Sequence, residues 1–133
     1  MKLHVIALAG KADPKITELC EILNHSIFKK LESHYESSKR TLTINLKRLI
    51  WKKGKFLWFK QLVADEKDVV NCVLAIREVE SYKIEDEHPD RIETKVSLGF
   101  DDKEIYLAAS CEHGNGYFLS VKVTQINVTL EDL

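Results

Sequence analysis

A two-residue rhythm of apolar side chains, running through most of the chain, most constrains what it can fold into. Leu42, Ile44 and Leu46 alternate with Thr41, Thr43, Asn45 and Lys47, and Val70, Cys72, Leu74 and Ile76 repeat the pattern. So do Ile92, Thr94, Val96, Leu98 and Phe100, then Ile105, Leu107, Ala109 and Cys111. Successive side chains of a strand point to opposite faces, so this alternation calls for antiparallel strands with one face on a core and the other in water.

The final stretch adds a complication. Leu119, Val121 and Val123 are odd positions, whereas Ile126, Val128 and Leu130 are even. A one-residue slip turns every side chain to the other face, so the switch near Thr124-Gln125 predicts a β-bulge or a bend into another sheet. Further strands are expected over residues 3–8, over Ile27, Lys29, Leu31, Ser33 and Tyr35, and over the aromatic run Phe56 to Lys60. Turns are expected at Glu36-Ser37-Ser38-Lys39, Lys52-Lys53-Gly54-Lys55, Asp101-Asp102-Lys103 and His113-Gly114-Asn115-Gly116.

Only one segment has helical spacing. Asp13 suits an N-cap, and Pro14 suits the first helical turn, where its missing N–H would have no partner. Ile16, Leu19, Cys20, Leu23 and Ile27 then recur on one face, and Asn24-His25-Ser26 ends the helix. The expected fold is therefore α+β: a single domain over 1–133, mostly antiparallel sheet or partial barrel of about seven strands, with one N-terminal helix.

A chain of 133 residues can bury roughly two-thirds of its unfolded surface and folds without a metal or disulfide. The three cysteines, Cys20, Cys72 and Cys111, are widely spaced and odd in number, which points to a reducing, cytoplasmic setting. No apolar run approaches the ~20 residues of a membrane span, and the short run at the start is broken at once by Lys11, Asp13 and Lys15.

The order of these features resembles a group of small alphaproteobacterial proteins classed only as a domain of unknown function. The likeness lies in Leu3-His4-Val5-Ile6-Ala7-Leu8, in Arg40 to Trp51 with its Arg48-x-x-Trp51 spacing, and in Ile105 to Ala109. Leu119 to Val123 and the closing Leu130-Glu131-Asp132-Leu133 complete it. The turn at 112–116 is less glycine-dense than in that group, and 52–68 is more basic and aromatic. The resemblance implies a one-domain bacterial cytosolic protein and carries no activity or site.

Net charge is −1, but it is unevenly placed: residues 47–60 hold six basic and no acidic side chains, residues 65–104 thirteen acidic and six basic. The basic segment interleaves Lys47, Arg48, Lys52, Lys53, Lys55 and Lys60 with Trp51, Phe56, Trp58 and Phe59. Cations that neutralise phosphates beside rings that stack bases are the physics of single-strand nucleic-acid binding. The competing reading is a hairpin with core aromatics and solvated lysines.

Two other constellations are candidate enzyme sites. Glu85-Asp86-Glu87-His88-Pro89-Asp90 offers carboxylates beside a histidine, though at the spacing of no ligand motif, and a charged, Pro-containing loop between strands is the favoured explanation. Cys111 and His113 lie two apart and could form a thiol–base pair, against the alternative of a buried inert cysteine. No nucleotide-binding or serine-hydrolase motif is present, and the sequence implies no cofactor or metal. The leading expectation is a non-enzymatic binding module that meets a protein partner or a second copy of itself through its sheet and the aromatic-basic hairpin. Single-stranded nucleic-acid binding through 47–60 comes next, and an enzyme using Cys111/His113 or the Asp86–Asp90 loop third.

Overall fold

The computed structural model describes residues 1–7, 13–50, 52–53, 62–63, 69–109 and 116–133. In chain order the elements are β1 (Lys2–Ala7), α1 (Pro14–Ile22), β2 (Ser26–Glu36), β3 (Thr41–Leu49), β4 (Lys52–Lys53), β5 (Leu62–Val63) and β6 (Val69–Ile76). There follow β7 (Val79–Asp86), β8 (Glu93–Asp101), β9 (Glu104–Ala109), β10 (Tyr117–Val123) and β11 (Ile126–Asp132). Nine strands form one antiparallel sheet in the order β1-β11-β6-β3-β2-β8-β9-β10-β7, and β4 pairs with β5 apart from it.

This order cannot lie flat. β6 is third in the sheet and β7 ninth, about 29 Å apart at the usual strand spacing. Only Arg77 and Glu78 join them, a reach of about 11 Å. The same holds for β10 and β11, eighth and second, joined by Thr124 and Gln125. The sheet must therefore curl over on itself, and the two short connections mark the fold line. They lie side by side: the Thr124 amide donates to the Glu78 carbonyl at 3.0 Å, and the Arg77 amide to the Asn127 carbonyl at 2.9 Å. On one side of the line β6 pairs with β11, with Ile76 against Val128, and on the other β7 pairs with β10, with Val79 against Val123. In effect one two-stranded ribbon is bent in its middle.

The curl makes two layers with a single core between them. Val5, Ile44, Leu74 and Val128 face inward from the first, and Val96, Leu107, Leu119 and Val121 from the second. β2 serves both layers. Its start, Ser26–Lys29, pairs with β8, while Ser33–Glu36 pairs only with β3. Phe28, fully buried, brings its ring to 5.2 Å from that of Tyr117 across the core. α1 packs on β8 and β1 through buried Ile16 and Leu19, and its cap is the expected one: the Asp13 carboxylate accepts from the Lys15 amide at 2.9 Å.

Several expectations need correction. The main sheet has nine strands, with two more in the small pair, where about seven were expected. The closing stretch is two strands, because the parity switch at Thr124-Gln125 is a bend that carries the chain to the other layer. In β2 the odd positions do not all face inward: three more residues lie between Phe28 and Ser33 than between their partners Leu46 and Ile44, which flips the parity. Ser26 and Phe28 are thus buried before the irregularity, Tyr35 packs on the core after it, and Leu31 within it is 85% exposed. Ile27 belongs to β2 and not to the helix face. Lys52 and Lys53 are strand residues paired with Val63 and Leu62, not part of a turn. The expected strand at Phe56–Lys60 and most of the turn at 113–116 lie outside the described residues.

Among the described residues, four non-glycine residues with positive φ, namely His25, Arg40, Glu78 and Asp102, sit at chain reversals. Glu78, at φ 56, is on the fold line itself. The left-handed region costs a side-chain-bearing residue about 1 kcal/mol and a β-branched one more. Glu78→Val is therefore expected to be less stable than Glu78→Gly by about 2 kcal/mol in urea unfolding; equal stabilities would mean that the corner relaxes to another conformation.

Candidate functional site

The basic segment is divided by the pleat of β3. Arg48 extends the inward-facing series of Leu42, Ile44 and Leu46 to the end of the core, where it meets Asp132, which extends the inward series of β11. Its Nε and Nη2 donate to the two Asp132 carboxylate oxygens at 2.9 and 2.8 Å, and both side chains are more than four-fifths buried. The Met1 nitrogen lies 3.3 Å from the same carboxylate. Hydrogen bonds from Arg48 hold the Asp132 carboxyl below its ordinary range. The guanidinium fork that would grip a phosphate is thus occupied by a carboxylate of the same chain.

Lys47 points the other way. It lies opposite Ile27 on β2 and Asn71 on β6, and with Lys29, Asn45 and Glu32 it lines a shallow cavity of about 200 Å³ on the outer face. Lys52 and Lys53 form β4. Trp51, Lys55, Phe56, Trp58, Phe59 and Lys60 lie outside the described residues, as do Cys111 and His113.

The acidic segment is part strand and part loop. Glu85 and Asp86 end β7, and the loop begins at Glu87, whose amide donates to the Gly116 carbonyl at 2.9 Å. Asp86 accepts from the Lys30 ammonium at 2.9 Å and from the His88 amide at 3.1 Å, and Lys30 also donates to the His88 carbonyl at 2.9 Å. The ammonium sits 5.7 Å from the centre of the Tyr117 ring, and burial pushes the Tyr117 phenol up to about 12. Asp86 thus anchors the irregular part of β2 to the end of β7. Among the described residues no group of three or more His, Cys, Asp or Glu side chains is placed to hold a metal ion. Burial raises the Cys72 thiol to about 11 and, with Glu21 nearby, raises Cys20, so both stay protonated at neutral pH.

The sequence reading missed β7. It is an edge strand: among the described residues it pairs with β10 alone, and its opposite backbone edge carries no ladder. Val79, Tyr82 and Ile84 face the same way as the core residues Val123, Val121 and Leu119 of β10, but Tyr82 and Ile84 remain 43% and 47% exposed. Where β7 approaches β2, side chains span the gap. Arg40 and Val79 exchange hydrogen bonds of 3.0 Å at one end, the Tyr35 and Tyr82 rings lie 5.1 Å apart in the middle, and Lys30 meets Asp86 at the other end. The outer face of β7 carries Ser81, Lys83 and Glu85, the last two paired at 3.0 Å and well exposed. Alternation of Tyr82 and Ile84 with Ser81, Lys83 and Glu85 was the available signal, but two apolar residues among charges read equally well as loop.

The fold and this edge define the class: a curled, open antiparallel sheet with one covering helix and an exposed amphipathic edge strand. No helix among the described residues is long and apolar enough to cross a membrane. No family model, curated protein or solved structure matches the chain.

The Arg48–Asp132 pair sets a pH dependence. Because the folded Asp132 carboxyl is depressed, its contribution is present above the unfolded value, about 4, and is lost as pH falls through the folded one. Asp132→Asn, which leaves Arg48 without its counter-charge, is expected to cost about 2 kcal/mol at pH 7. The difference from wild type in denaturant midpoint should narrow below about pH 4. A difference that stays constant down to pH 2 would show that the ion pair contributes nothing.

Proposed function

We propose that the chain is a non-enzymatic binding module, in the cytoplasm of a bacterium, that meets a protein partner through its sheet. The observation that carries this reading is the edge of β7 that, among the described residues, carries no backbone ladder. Arg40 occupies the backbone of Val79, and from Ser81 to Asp86 the strand carries no ladder on that side among the described residues, with half-exposed Tyr82 and Ile84 beside it. Strand addition needs those two elements, a backbone ladder for affinity and alternate side chains for selectivity. Natural edges are usually short, bulged or covered; this one is bulged at Glu80 and held by Arg40 at Val79, and beyond the bulge Ser81–Asp86 runs regularly. A photoreactive residue placed at Lys83 should form a protein adduct in living cells, and one placed at Thr43, on the outer face of the first layer, should not. Adducts absent at Lys83, or equal at both positions, would remove the edge from consideration.

A second reading has its own support. Lys29 and Lys47 share an outer cavity with Asn45 and Asn71, close to where β3 leads toward Lys52 and Lys53. Single-stranded nucleic acid would lie across this basic stretch, and Lys55, Trp58 and Lys60, which follow it in sequence, supply the residue types such binding uses. Both tryptophans, Trp51 and Trp58, fall within the segment and report on it directly. Titration with single-stranded RNA should quench their fluorescence with an affinity that falls steeply with salt. With Arg48 tied to Asp132, five cations remain and the log–log slope is expected near about −3.5. A salt-independent or absent response, or one unchanged by Lys52→Glu with Lys53→Glu and Lys55→Glu, would dismiss this reading.

A further inference from the structure

We infer that the partner of the β7 edge is a second copy of the same chain, paired antiparallel through β7 about a two-fold axis at Ile84. This rests on the edge-binding reading above and adds the identity and register of the partner.

The argument is one of enumeration. When two identical strands pair antiparallel about a two-fold axis perpendicular to the sheet, outer faces stay outer, so directly opposed residues have the same parity over the regular stretch Ser81–Asp86, beyond the bulge at Glu80. The axis must therefore pass through a residue. At Lys83 the lysine opposes itself, and at Glu85 the glutamate does. At Tyr82 and Ser81 the ladder would run into the bulge at Glu80, where the facing of the strand switches, which leaves no more than three residues in register at Tyr82 and one at Ser81. With the axis at Ile84, Lys83 of each copy opposes Glu85 of the other, and Ile84 opposes Ile84 on the core-side face. Tyr82 then opposes Asp86, which brings the ring toward the Lys30–Asp86 pair of the other copy. Beside that pair lie Leu31 and Ile92, 85% and 63% exposed, with the Lys30 amide bonded to the Ile92 carbonyl at 2.9 Å.

Tyr82 and Ile84, two of the eight large hydrophobic side chains exposed among the described residues, thus gain cover in this arrangement, and Leu31 and Ile92 flank the Lys30 that holds Asp86. A lysine on an edge strand ordinarily guards against pairing. Lys83 guards against the register that sets it against itself, and favours the one that sets it against Glu85. One strand pair buries less than the roughly 1,000 Å² of a stable assembly, so the dimer forms and dissociates with concentration.

Light scattering over a concentration series should show mass rising from one chain toward two. Lys83→Glu and Glu85→Lys should each weaken association about tenfold, through two like-charge contacts per dimer, and the double exchange Lys83→Glu with Glu85→Lys should restore it. Ile84→Cys should give a covalent dimer under mild oxidation and Tyr82→Cys should not, because only position 84 meets its own equivalent within disulfide reach. A chain that stays monomeric at every concentration, or a double exchange that fails to restore association, overturns the inference. If Lys83 nevertheless captures a different protein in cells, the edge-binding reading survives with another partner. If it captures nothing, both fall.

Discussion

Two connections of two residues each decide the shape of this protein. Arg77-Glu78 and Thr124-Gln125 join strands that stand six places apart in the sheet, and chain reach permits this only if the sheet folds over on itself. Because the two connections are hydrogen-bonded to each other, the strands on either side bend together as one ribbon. Everything else follows that bend. The inward faces of β6 and β11 come to oppose those of β7 and β10, β2 must turn from one layer to the other, and the helix can then touch both β1 and β8.

The margins of this fold are held by charge. Where β3 and β11 run out of apolar side chains, Arg48 and Asp132 close the end of the core with a bidentate pair. Where β2 leaves β8, Lys30 reaches Asp86 and the His88 carbonyl. Each of these pairs is mostly shielded from water, and loss of one partner would leave the other charge poorly solvated. They also change how the sequence is read for function. Arg48 belongs to a basic run and Asp86 to an acidic one, yet each is neutralised within the chain and is unavailable as a lone ligand.

Edges are the other consequence of an incomplete curl. The two ends of the sheet, β1 and β7, do not pair with each other. Side chains span the opening between β7 and β2 through Tyr35 and Tyr82, whose packed rings hold the layers together without a backbone ladder. Among the described residues this leaves β7 with a ladder on one side and, beyond Val79, none on the other, an apolar pair facing the core side, and a lysine and glutamate facing out. That combination is specific enough to argue a partner's geometry.

Local rules made part of this legible. Asp13 and Pro14 marked the helix start because capping depends on a few adjacent residues. Alternation identified β3, β6, β8 and β9 because each buries one face on a shared core. The parity change before Ile126 announced a bulge or a bend for the same reason, and the structure has the bend. β7 was not legible, since an edge strand buries little and its charged outer face looks like loop. The flip within β2 was not legible either, because three extra residues are accommodated only by the partner strands on each side.

The sequence by itself therefore determined the strands that bury one continuous face, since the pleat forces alternation wherever one face is buried. Only the tertiary structure decided the order of those strands, the bend that folds them into two layers, and the partners of Arg48, Lys30 and Asp86. Those depend on contacts between residues as far apart as Arg48 and Asp132, which no local pattern encodes.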